Sequence, residues 1–75
     1  MKLKAIASNL SELQTNTVTL AFSYSTPVAG WDEYGAFKTD TKFSQTTSKH
    51  IKKYLGAAFD SARVVPQSLI EGLAE

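Results

Sequence analysis

Three observations predict an α+β domain built as a three-stranded antiparallel sheet with two helices, in the order β-β-β-α-α. Residues 17–24, Thr-Val-Thr-Leu-Ala-Phe-Ser-Tyr, alternate without a break. Residues 37–43 alternate again, with Phe37, Thr39, Thr41 and Phe43 on one side and Lys38, Asp40 and Lys42 on the other. The period then changes: Ile51, Tyr54, Leu55, Ala58 and Phe59 stand at i, i+3, i+4, i+7 and i+8. A period of two marks half-buried strands, and a stripe near 3.6 marks an amphipathic helix. The expectation is one domain over residues 1–75, with the main helix laid on one sheet face and the other face wet.

Taken in order, Lys2 to Ser8 reads as a first strand, although Ile6 interrupts its polar side. Asn9 to Gln14 either continues that strand past a bulge or loops over it, and Gln14-Thr15-Asn16 marks the hairpin turn. In the second strand Val18, Leu20, Phe22 and Tyr24 face one way, and Thr17, Thr19, Ala21 and Ser23 the other. Pro27 has no N–H for a ladder, which places it at an edge or at the strand's end. Gly30 and Gly35 bracket Trp31-Asp32-Glu33-Tyr34 as a connecting loop before the third strand.

Thr46, Thr47 or Ser48 supplies the N-cap of the main helix, and Gly56 either shortens that helix or lets it pack closely. Arg63 to Val65 is an extended connector, because the residue before proline avoids helical angles. Pro66 opens a short second helix whose apolar side is Leu69, Ile70 and Leu73.

Composition narrows the chemistry. With 75 residues, 43% apolar and 20% charged, the chain is ordinary globular material. It has no cysteine, so neither a disulfide framework nor a thiolate metal site is available. No apolar run approaches the ~20 residues of a membrane span, and the start lacks the apolar core of a signal peptide. A soluble protein that stays where it is made is the expectation.

Net charge is +1, but residues 38–55 hold five lysines against Asp40 while both flanks are mildly acidic. Eight serines and eight threonines favour strands, caps and turns.

A single histidine leaves little room for catalysis. His50 could be drawn with Ser44 or Ser48 and with Asp40 or Asp60, yet no spacing places a third group to orient the ring. Asp32 and Glu33 are neighbours in a loop, metal ligands are too few, and the four glycines are too scattered for a phosphate loop. The chain is therefore expected to be non-enzymatic, without cofactor or metal.

Two surfaces remain. Thr46, Thr47, Ser48, Lys49, His50, Lys52 and Lys53 form a hydroxyl-rich helix start followed by a basic run, suited to an anion or to weak, backbone-directed nucleic-acid contact. Pro27, Trp31 and Tyr34 put large side chains beside glycines in the presumed loop, where interface anchors are found or where an aromatic closes a small core.

Three segments, "IASNLSELQTN", "FSYSTPVAGW" and "KFSQTTSKHIKKYL", carry a resemblance to a family of short uncharacterised bacteriophage proteins, a domain of unknown function. The matching motifs are Ser23-Tyr24-Ser25-Thr26-Pro27-Val28-Ala29 and Ser44-Gln45-Thr46-Thr47-Ser48-Lys49-His50-Ile51, and the chain departs at Gly56-Ala57-Ala58-Phe59-Asp60-Ser61.

The resemblance implies a viral origin and the cytoplasm of an infected bacterial host, with no activity attached. The expected function is a small interaction protein that binds a host or phage protein, in host takeover or anti-defence. The alternative is a nucleic-acid-binding accessory protein that uses the basic helix 48–55. A homodimer through a free sheet edge is a third expectation.

Overall fold

The computed structural model describes residues 2–74. Its element order is β1 (Lys2–Ala7), β2 (Leu10–Gln14), β3 (Thr19–Ser23), β4 (Thr26–Asp32), β5 (Gly35–Thr39), α1 (Gln45–Leu55), a 3-10 turn (Gly56–Ala58), β6 (Arg63–Val65) and α2 (Gln67–Leu73).

The expected three-stranded antiparallel sheet is overturned: the strands form one six-stranded mixed sheet in the order β1-β2-β3-β4-β5-β6. The first five are an antiparallel meander, and β6 returns parallel to β5, pairing Phe37 with Arg63 and Thr39 with Val65. A parallel return needs a crossover, and α1 supplies it.

Two segments read from sequence as connectors, and one left open between strand and loop, are strands. Leu10–Gln14 is β2, paired in full with β3. The turn before it falls at Ser8-Asn9, where Asn9 takes φ 61, a left-handed angle that asparagine tolerates. The turn expected near Thr15 does exist, between β2 and β3, where the Thr15 hydroxyl donates to the Val18 carbonyl at 2.9 Å. Thr26–Asp32 is β4, a central strand that contains Trp31. Arg63–Val65 is β6, closing the far edge.

Pro27, expected at an edge or at a strand's end, is the second residue of β4, an interior strand of the sheet. It sits at a register shift between β3 and β4, in the part of β4 before pairing with β5 begins at Ala29. A bulge without a second neighbour tolerates a residue that cannot donate. The strand expected over 37–43 stops at Thr39, and residues 41–44 run irregularly into α1.

Gly30 serves packing, not a turn. A Cβ there would lie 2.2 Å from the Thr19 carbonyl oxygen and 2.8 Å from Phe37 Cζ. Glycine in mid-strand thus lets the Phe37 ring lie against its cross-strand partner.

Both sheet faces are covered at the centre, so the strand read over residues 17–24, which is β3, is not half wet. On one face Ile51 and Leu55 of α1 pack on Ala21, Val28, Ala29 and Ala62, with Tyr54 and Phe59 at the margin. The alanines keep the sheet surface low and let the helix approach. On the other face Ile70 of α2 packs with Val18, Leu20 and Phe37, flanked by Phe22 and Val65. Of the apolar side expected for α2, only Ile70 is buried; Leu69 and Leu73 are exposed. Pro66 is its N-cap and not its first residue.

Candidate functional site

The start of α1 differs from the expected one. Ser44, ahead of all three predicted candidates, is the N-cap: its Oγ accepts from the Thr47 backbone N–H at 3.2 Å. Thr46 is exposed, whereas Thr47 is buried and committed to a chain of hydroxyls. Ser44 Oγ lies 3.3 Å from Thr47 Oγ1, which lies 3.2 Å from Ser23 Oγ, which lies 2.8 Å from His50 Nδ1. Each hydroxyl has one proton, so the chain runs in a single direction set by the His50 tautomer.

His50 therefore pairs with Ser23 of β3, not with Ser44 or Ser48, and neither Asp40 nor Asp60 joins it among the described hydrogen bonds. Ser23 is 2% exposed. This buried hydroxyl fastens α1 to β3. Tyr24, which turns the chain at φ 58, sets its ring 5.9 Å from the imidazole.

A second tie lies one helical turn further on. The Tyr54 hydroxyl donates to Glu12 Oε2 at 2.6 Å. Burial raises the phenol well above its ordinary range, and the bond to Glu12 and its negative charge add to that effect. Gly56, at φ 56, ends α1 by turning its N–H back to the Lys52 carbonyl.

Lys38, Lys42, Lys49 and Lys52 gather at the end of the sheet where β5 runs out. Lys42, Gln45, Ser48, Lys49, Lys52 and Phe59 line a cleft of ≈ 530 Å³. A second hollow adjoins it and shares Lys42, Ser48 and Phe59, with Lys38 and Asp40 among its walls. Lys38 Nζ donates to the Phe59 carbonyl at 2.7 Å and stands 3.8 Å from the centre of the Phe59 ring. Of the basic run, Lys53 is exposed outside both hollows, and His50 turns to the hydroxyl chain.

Trp31 and Tyr34 occupy the opposite end. Trp31 is 39% and Tyr34 76% exposed, the first near the end of β4 and the second in the two-residue turn to β5. Asp32 Oδ1 accepts from the Tyr34 N–H at 2.8 Å and from Arg63 Nη2 at 2.5 Å, which fixes the turn. The Arg63 guanidinium lies 5.7 Å from the Tyr34 ring centre. Arg63 had no place in the sequence-based site; pairing of β5 with β6 brings it there. A hollow of ≈ 340 Å³ lined by Asn16, Thr17, Asp32, Glu33 and Tyr34 adjoins the turn. Pro27 does not join this surface: it is buried, and its carbonyl accepts from Gln67 Nε2 at 2.8 Å.

Among the described residues no group of three histidine or acidic side chains could hold a metal, and no helix is long and apolar enough to cross a membrane. No curated protein and no solved structure matches the chain. A family model does match, over residues 1–72, and by that match the chain belongs to DUF8033, a family of unknown function.

Proposed function

We infer that the protein is a small, non-enzymatic interaction module that takes a protein partner at the β4–β5 end of its sheet. The observation that carries this reading is the pairing there of exposed Tyr34 with the Arg63 guanidinium, with Trp31 exposed at the same end of β4. Those three residue types dominate interface energetics, because each presents a large rigid or forked contact surface at modest entropic cost. The Asx turn at Asp32 and the Arg63–Asp32 ion pair hold the backbone and the guanidinium in place before any partner arrives, which lowers the cost of binding. The resemblance to short bacteriophage proteins supplies the setting: a viral protein in an infected bacterial cytoplasm, acting in host takeover or against a defence system.

The test is affinity capture from infected cells with the wild-type chain and with Trp31→Ala and Tyr34→Ala. Retained folding with at least a tenfold loss of one captured protein supports the reading, as expected when a central aromatic anchor is removed. A full complement of captured proteins with both variants overturns it. If Trp31→Ala unfolds the chain, the half-exposed ring is core, and the fully displayed Tyr34 decides the matter alone.

A further inference from the structure

The basic cleft at the other end of the sheet is a separate surface. Lys42 stands on the segment entering α1, and Lys49 and Lys52 stand at i and i+3 on the helix facing it. Like charges at that spacing repel, so the pair costs stability in the free protein. Among the described residues the one ion pair is Arg63–Asp32; none of the three cleft lysines has a carboxylate partner. Asp40, the nearby acid, accepts instead from the Thr41 hydroxyl at 3.2 Å. Lys38 adds a fourth charge, held over the Phe59 ring.

We propose that this cleft binds the phosphodiester backbone of single-stranded nucleic acid. Lysine ammonium groups are compact point charges that hold phosphate oxygens, and the cleft lacks the forked guanidinium that would read base edges, so the contact is with the backbone. The Ser48 hydroxyl and the Gln45 amide add uncharged donors of the kind that position a backbone without reading bases. Apolar ring surface lies beside these charges: Phe59 lines the cleft, and Phe43, next to Lys42, is 45% exposed. Charge in a groove with aromatic surface alongside is how proteins hold single strands without sequence preference. A recessed cleft admits one strand more readily than the broad side of a duplex. The site lies apart from Trp31 and Tyr34 and does not depend on them.

Fluorescence anisotropy of a labelled oligothymidylate tests it. Binding is expected at low salt and should weaken as salt rises, with a log–log slope of about −2 for three neutralised phosphates. The double variant Lys49→Gln/Lys52→Gln should lower affinity about tenfold or more with a melting temperature at or slightly above that of wild type, while Lys53→Gln, outside the cleft, changes affinity less than about twofold. Trp31→Ala should leave the binding intact. No anisotropy change at low salt overturns the proposal, as does an equal loss from Lys53→Gln. Displacement of the oligonucleotide by polyaspartate at equal charge concentration, or tighter binding of a duplex of the same length, overturns it too.

Discussion

The two faces of the sheet are closed by helices that hold on in different ways. On the α1 face, apolar burial by Ile51 and Leu55 is supplemented by directional ties: Tyr54 to Glu12, and His50 and Thr47 to Ser23. On the α2 face, among the described residues, one side chain of the helix, Ile70, enters the core, and the polar support is a single bond from Gln67 to the Pro27 carbonyl. Gln67 Oε1 is buried there without a partner among the described residues, which subtracts from what the bond contributes. An eleven-residue helix spreads its attachment over three turns; a seven-residue helix concentrates it on one plug. The first should loosen by degrees and the second should let go at once.

Variants can break or sharpen that contrast. The largest effect is expected at the floor of the α2 face. Phe37→Ala removes a ring 2% exposed and should cost about 3–5 kcal/mol in chemical denaturation. Gly30→Ala should be comparably damaging, and combining it with Phe37→Ala should not rescue it, because the Thr19 carbonyl still blocks the added methyl.

Next comes Ile70→Ala, at about 2–4 kcal/mol. It should also expose residues 66–74 to limited proteolysis before the sheet unfolds. Protection of that segment equal to wild type would mean that Leu69 and Leu73 hold the helix after all.

Tyr54→Phe on the opposite face removes a hydrogen bond to a carboxylate at a half-buried site and should cost about 1–2 kcal/mol. It also tests a pH dependence. The folded chain holds the phenolic proton more tightly than the unfolded chain, so this group contributes fully at neutral pH. Its contribution declines as pH rises above the ordinary tyrosine value of about 10, where the unfolded chain releases the proton. Wild type should therefore lose more stability than Tyr54→Phe over that alkaline range, in denaturant midpoints measured side by side. Parallel curves would break the assignment. The smallest effect is Ser44→Ala, about 1 kcal/mol for a lost N-cap, with no change at the α2 face.

How much of this was legible in the sequence follows the same physics. Ile51, Tyr54 and Leu55 of the stripe located α1 and the residues it buries, because a helix on a flat surface leaves a periodic record, but Ala58 and Phe59, which continue the stripe, lie beyond the end of α1 at Leu55. Strand β3 was legible as well, but its second buried face was not, since Ala21 and Ser23 look like a solvent-facing row until a helix is placed over them. Strand β4 was hidden by its own punctuation. Pro27 and Gly30 read as loop residues, and only the bulge and the Phe37 ring explain why a central strand carries them.

Three residues of β6 are too few to show a period. As for the candidate sites, the lysines and aromatics were visible in composition. Their sorting to opposite ends of the sheet, the recruitment of Arg63 and the burial of Pro27 are products of strand pairing that no local pattern encodes.

One consequence of the strand order reaches beyond the single molecule. The rim formed by β6 is three residues long and is followed by Pro66, which offers no N–H, so it makes a poor template for further pairing. The rim formed by β1 is six residues long and, among the described residues, has no neighbour on its outer side. Any chain that extends this sheet has one berth to occupy, and two copies meeting there would use up each other's berth. Growth by that route stops at a pair and cannot propagate into a fibre.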